Sequence, residues 1–304
     1  MSNYSEINKL SIFRRESPLM NAMNVTKADE VTKPDIQKIC DAHIHLFPDR
    51  LMEAILNWFV TQGWTMPYRK PVEVLLNDLE NMGVTSAFVL GYVHKKDMAA
   101  EINLWLKELC TKYSWLHPFA ALHQEDDGIE NILSQALDEW DFPGVKLHTF
   151  VQKVAVNDIR LRPMYRMLNE RGKGLIVHLS GMPIESPFTQ VDTLLEVLRS
   201  FPNLKVTIAH MGLPKDFSLA VELAASYPNV YLDTAYILGN PRFQMQEEWI
   251  KAIDENPTKF IFGTDFPIMD YSPSKAIQTV KQLPLAEEVK TMLLWDNAMR
   301  FLQS

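Results

Sequence analysis

Eight short runs of β-branched and apolar residues recur along this chain, and each is followed by a stretch whose apolar residues return every three or four positions. The runs are Lys38 to His43, Ser86 to Gly91, Leu116 to Leu122, Gly144 to His148, Gly174 to Leu179, Lys205 to Ala209, Val230 to Asp233 and Phe260 to Gly263. Helical spacing follows in sets such as Val72-Leu75-Leu76-Leu79, Ile102-Trp105-Leu106-Leu109, Ile129-Ile132-Leu133-Leu137 and Val191-Leu194-Leu195-Leu198. Short apolar runs bounded by turn residues suit buried strands, and a 3.6-residue period suits helices with one apolar face. An eightfold alternation of this kind predicts an α/β fold of the (β/α)8 TIM-barrel type. The rival, a doubly wound sheet that binds a dinucleotide, lacks a Gly-x-Gly-x-x-Gly after any strand.

Local punctuation agrees with this pattern. Pro71, Pro163 and Pro273 stand where a helix's first turn tolerates a missing N–H, and Gly83 and Gly172 follow helices as left-handed caps. A final helix is expected from about Glu287 to Leu302. The segment Leu51 to Tyr68, between the first strand and its helix, is expected to cover the barrel mouth as a lid or side wall. Residues 1–35 are polar and weakly patterned, so they read as an N-terminal extension preceding a barrel domain over 36–304.

Composition narrows the partners. A formal net charge of −8 opposes a nucleic-acid surface, which needs clustered Lys and Arg. No stretch is long and apolar enough to span a bilayer, and the N-terminus lacks the apolar core of a signal peptide. The expectation is a cytoplasmic protein that acts on a small-molecule substrate, with association through the helical shell giving a homodimer. The 2 cysteines, Cys40 and Cys110, fall in no Cys-x-x-Cys pattern and read as buried thiols.

Residues of the metal-ligand type gather at the ends of the runs. His43 and His45 form a His-x-His pair on one strand, where i and i+2 share a face and both imidazoles can converge on one ion. His178, His210 and Asp265 end or directly follow the fifth, sixth and eighth runs. In a barrel all five fall at the C-terminal face, where such folds keep their chemistry. Imidazole and carboxylate donors suit one divalent ion, Zn²⁺ first, with Mn²⁺, Fe²⁺ or Co²⁺ as substitutes because affinity alone does not enforce the choice. Among the remaining polar strand-end residues, Asp41 reads either as a support for the histidines or as a structural hydrogen-bonding group. Asp233 reads by default as a helix cap or loop hydrogen-bonding group, and His94 and His123 as incidental rim residues.

The ordered series Asp41-Ala42-His43-Ile44-His45, Gly144-Val145-Lys146-Leu147-His148, Ile176-Val177-His178, Ala209-His210-Met211-Gly212, Tyr227 to Thr234, Phe262 to Pro267 and Asn297-Ala298 resembles the amidohydrolase superfamily. The likeness is to its amidohydrolase-related branch of metal-dependent hydrolases and decarboxylases, and it runs from about residue 38 to the end. The resemblance implies that His43, His45, His178 and Asp265 bind the ion and that His210 stands beside the bound water or substrate. Binuclear relatives carry a carboxylated lysine or a glutamate on strand 4, where this chain has Lys146. An unmodified Lys146 that orients substrate or pairs with a carboxylate is the more economical reading, and His148 is expected to touch substrate as well.

Hydrolysis of an ester, lactone or amide bond ranks first on these grounds. Zn²⁺ lowers the pKa of bound water to about 7, Asp265 can take its proton, and His210 can stabilise the developing oxyanion. The alternative is non-oxidative decarboxylation of a small unsaturated or aromatic carboxylic acid at the same mononuclear site. That reaction calls for a cationic clamp, for which Arg69, Lys70, Lys95, Lys96 and Arg242 are the candidates. A metal-dependent DNase is disfavoured by the missing strand-4 glutamate and the acidic charge, and a silent scaffold by the retention of every ligand type.

Overall fold

The computed structural model of the chain describes residues 38–181 and 184–303. The proposed extension over residues 1–35 lies outside the described residues. Eight parallel strands run β1 Ile39–Ile44, β2 Val84–Leu90, β3 Leu116–Ala120, β4 Gly144–Leu147, β5 Gly174–Val177, β6 Lys205–Ile208, β7 Val230–Asp233 and β8 Phe260–Ile261. Each strand pairs with the next in chain order. The circle closes where the Ala42 N–H donates to Phe262 O at 2.9 Å and the His45 N–H donates to Phe266 O at 2.8 Å, with Ile44 bridged to Phe266 in parallel. The fold is the (β/α)8 barrel that the alternation predicted.

Several strands stop one or two residues before the sequence runs do. At β4, His148 leaves extended geometry (φ −111°, ψ 84°) to cap the short helix Thr149–Gln152. At β6, the chain enters a left-handed turn at His210 (φ 57°) and Met211 (φ 54°). The C-terminal ends of the strands thus break regular pairing where the side chains of interest emerge. The expected last helix is also interrupted, by a π-helical turn at Met292–Asp296 between Glu287–Thr291 and Asn297–Leu302. Pro163 and Pro273 occupy first-turn positions, whereas Pro71 lies just outside its helix as the N-cap.

Two apolar layers hold the barrel. Strand residues such as Val89, Val145, Leu175, Val206 and Leu232 share the large cluster with the amphipathic helices outside. Cys40, Phe88, Phe119, Ile176, Tyr231 and Ile261, from six strands, form a smaller cluster with Ala298 and Phe301 of the last helix. Residues from six strands of one barrel can meet only inside it, so the C-terminal helix plugs the end opposite the site. The plug requires glycine: a Cβ at Gly174 would lie 2.5 Å from Phe301 Cζ, and one at Gly144 would lie 2.0 Å from Gly174 O. The excursion after β1 forms the helix Asp49–Thr61, and Phe59, Trp64 and Met66 from this region line the cavity at the barrel mouth. Among the described residues no helix is long and apolar enough to cross a membrane.

Candidate metal centre

Three imidazoles at the barrel mouth have their outer nitrogens already engaged. His43 Nδ1 meets Asp233 Oδ2 at 2.7 Å, His45 Nδ1 meets Leu90 O at 2.9 Å and His210 Nδ1 meets Ala235 O at 2.9 Å. Carboxylate and carbonyl oxygens only accept, so each ring donates from Nδ1, and in the neutral tautomer its Nε2 turns a lone pair toward the barrel mouth. These lone pairs converge. His43 Nε2 and His45 Nε2 are 3.2 Å apart, and Asp265 Oδ1 lies 3.4 Å from the first and 3.2 Å from the second. His43, His210 and Asp265 offer donor atoms within 4.8 Å of one another.

Acceptors facing acceptors at this distance repel unless a cation sits among them; the Lys146 ammonium reaches His43 Nε2 at 3.2 Å, while His45 Nε2 and Asp265 Oδ1 still face each other at 3.2 Å. A proton is a poor candidate at His43, because burial, reinforced by the charge of Lys146, holds that imidazole well below its usual range. The nitrogen and oxygen donor set instead fits a divalent ion of the Zn²⁺ or Mn²⁺ type.

The backbone is built to hold this arrangement. Asp41, fully buried, accepts from Thr264 N at 2.9 Å, Thr264 Oγ1 at 2.5 Å and His43 N at 3.2 Å. Burial pushes its carboxyl up to about 7 against the pull of these donors. The next residue, Asp265, has left-handed backbone (φ 76°), and its N–H donates to His43 O at 2.8 Å. Burial opposes ionisation of Asp265, but the His45 hydrogen bond and the neighbouring imidazoles outweigh it and hold the carboxyl below its usual range.

His210 joins the expected ligands at the centre. His210 belongs to the donor group, with its ring centroid 5.0 Å from that of His43. His178 approaches through His210, with its Nδ1 3.1 Å from His210 Nε2, and its ring stacks on His148 at 4.1 Å. The left-handed turn at His210 accounts for this, since it departs from strand geometry just where the imidazole leaves the barrel wall. Lys146, expected to touch substrate, is fully buried; its Nζ is 3.2 Å from His43 Nε2 and it does not line the cavity. It precedes His148 by two residues on the same strand face and therefore lies one layer deeper in the barrel. Burial brings its ammonium down to about 8, opposed by Asp233 and Asp265.

His148 does line the cavity; its Nδ1 is buried without a hydrogen-bond partner among the described residues, and burial and its cationic neighbours hold it neutral. The floor of the cavity consists of His45, His148, His178, His210 and Asp265, and its walls are Phe59, Trp64, Met66, Tyr92, Tyr236 and Ile268. Four of the candidate clamps are paired elsewhere: Arg69 with Glu53, Lys70 with Asp78, Lys96 with Asp127, and Arg242 with Asp270. Arg242 also stacks over the wall residue Trp64 at 4.8 Å. His94 and His123 do not line the cavity.

Sequence reasoning passed over Asp233 and Tyr92. Asp233 was visible as the last residue of a strand but carries no signal that separates a helix cap from a partner of His43. Tyr92 lies two residues beyond β2, and its ring packs edge-on against His45 at 5.1 Å and His148 at 4.7 Å.

A family model described as Amidohydrolase matches residues 40–303. A TIM-barrel protein from Bordetella bronchiseptica superposes with a TM-score of 0.67 at 22% identity, covering 87% of this chain and 98% of that one. A 2,6-dihydroxybenzoate decarboxylase from Rhizobium gives 0.62 at 18% identity, over 88% of this chain and 98% of the other. A 5-carboxyvanillate decarboxylase from Novosphingobium aromaticivorans, solved with manganese and 4-hydroxy-3-methoxy-5-nitrobenzoic acid, gives 0.62 at 14% identity, over 90% and 97%.

Proposed function

The chain belongs to the amidohydrolase family, and from that premise we propose that it is a metal-dependent carboxy-lyase acting on a small aromatic or unsaturated carboxylic acid. One observation carries the proposal: the converging donors open onto a cavity whose walls are mainly aromatic, so that the ion they would hold takes the cationic role that no Lys or Arg of the lining fills. His43, His45, His178 and Asp265 hold the ion, with His210 close enough to share it. A divalent ion bound there supplies Lewis acidity toward a substrate oxygen.

The protein's own groups do the rest. The faces of Trp64 and Tyr92 receive a planar ring, and the apolar wall strips water from the substrate carboxylate, which favours its conversion to neutral CO₂. His210, in its protonated form, delivers H⁺ to the ring carbon as the carbon–carbon bond to the carboxyl breaks. The balance is one carboxylate and one proton in, one CO₂ and one hydrocarbon position out. The aromatic acids acted on by the two named decarboxylases support this choice of substrate. Hydrolysis, ranked first on sequence alone, becomes the second reading. Its supporting observation is Asp265 Oδ1 within 3.2–3.4 Å of both imidazole nitrogens, placed to take a proton from water.

Protein loaded with Zn²⁺ or Mn²⁺ is to be incubated with hydroxybenzoates and related unsaturated acids, and separately with lactones, esters and amides. Release of CO₂ in step with loss of the acid is the expected result. Turnover of the second group alone would replace the lyase reading with hydrolysis.

A further inference from the structure

The geometry points to Asp233 as a positioning residue that sets the metal-facing lone pair of His43 and the placement of His210 through one carboxylate. Oδ2 holds His43 Nδ1 at 2.7 Å. Oδ1 accepts the His210 N–H at 2.9 Å and the Ala235 N–H at 3.1 Å. Ala235 in turn accepts from His210 Nδ1 through its carbonyl at 2.9 Å, so the end of β7 grips His210 at both backbone and ring. His210 needs that grip, because His210, Met211 and Gly212 are consecutive left-handed residues (φ 57°, 54° and 69°), a conformation that side-chain-bearing residues adopt at a cost.

Asp233 is fully buried and does not line the cavity, so it acts through its neighbours and not on substrate. A carboxylate behind a metal-binding imidazole fixes the ring's tautomer and raises its basicity. Here the same carboxylate also anchors the backbone of a second functional histidine. Ligand geometry and the position of the proton-handling group are therefore set together. The inference rests on the metal-centre reading for its affinity measurement, and on geometry alone for its tautomer measurement.

Asp233→Asn separates the two roles. Its amide oxygen still accepts the His210 N–H, while its NH₂ group cannot accept from His43. Long-range ¹H–¹⁵N spectra of the metal-free protein should show the His43 proton on Nδ1 in the wild type and on Nε2 in the variant. Affinity for Zn²⁺ and Mn²⁺, from chelator-buffered titration, should fall about 10- to 100-fold. The unfolding midpoint of the metal-free variant should stay close to that of the wild type, and the His210 amide should remain protected from hydrogen exchange. Asp233→Ala should lose that protection as well. Native tautomer and native affinity in Asp233→Asn would overturn the proposal, as would an affinity loss matched by unfolding of the metal-free variant. If the wild type takes up no ion, the metal-centre reading fails, and the tautomer result still decides for or against Asp233.

Discussion

Asp41 and Thr264 are joined twice across the seam between β1 and β8, through the Thr264 amide at 2.9 Å and its hydroxyl at 2.5 Å. Thr264 immediately precedes Asp265, so this pair fastens the end of the last strand to the strand that carries His43. Asp41→Ala would leave buried N–H groups of Thr264 and His43 without an acceptor, each costing roughly 1–3 kcal/mol. Denaturant unfolding of the variant should show a loss of about 3 kcal/mol, with weaker metal binding as Asp265 loosens. Unfolding indistinguishable from wild type would mean that the seam does not depend on this pair.

The barrel was legible because period and punctuation are local properties of a chain. Strand starts at Gly144, Gly174, Lys205, Val230 and Phe260 were readable from sequence, as were the positions of His43, His45 and Asp265 at one rim. Less legible was anything that depends on how a strand ends. The way His210 leaves the barrel wall was not readable, because nothing in Ala209-His210-Met211-Gly212 announces two left-handed residues with side chains. The depth of Lys146 was not readable, because parity gives the face of a strand but not the depth within a barrel. The role of Asp233 depends on a hydrogen bond to a residue 190 positions away, and no spacing encodes that.

Burial of His117 should cost the metal-free protein stability in acid. Burial holds His117 below the ordinary 6.5 of a histidine, with Nε2 packed 3.0 Å from Ser86 Oγ at the end of the barrel away from the donors. The unfolded chain therefore binds a proton that the folded chain refuses. This contribution is fully present above pH 6.5 and is lost as pH falls through the lowered folded value. The raised Asp41 carboxyl acts in the opposite sense, so the test is a difference: with chelator present, the stability of the wild type relative to His117→Gln should be lower at pH 5 than at pH 7.5. A variant that keeps the entire wild-type pH dependence would remove His117 from this account.

The aromatic wall makes a separate prediction about substrate. Trp64→Ala removes an indole that lines the cavity and carries Arg242 stacked behind it. Aromatic contacts of this kind are worth about 0.5–1.5 kcal/mol, so the KM of an aromatic acid should rise roughly 2- to 10-fold while metal content stays unchanged. An unaltered KM for an aromatic acid that the wild type turns over would place the substrate elsewhere in the cavity.

The central claim is that the converging Nε2 lone pairs of His43 and His45, with Asp265, exist to hold a divalent cation. Metal content per chain, measured by elemental analysis after loading with Zn²⁺ or Mn²⁺ and removal of excess, tests it most directly. The account predicts about one ion per chain in the wild type, since one set of four donors would hold one. It predicts close to none in His43→Ala/His45→Ala, and a partial loss in His210→Ala, which removes one member of the donor group. A wild type that retains no ion, or a double variant that retains the wild-type amount, would contradict it.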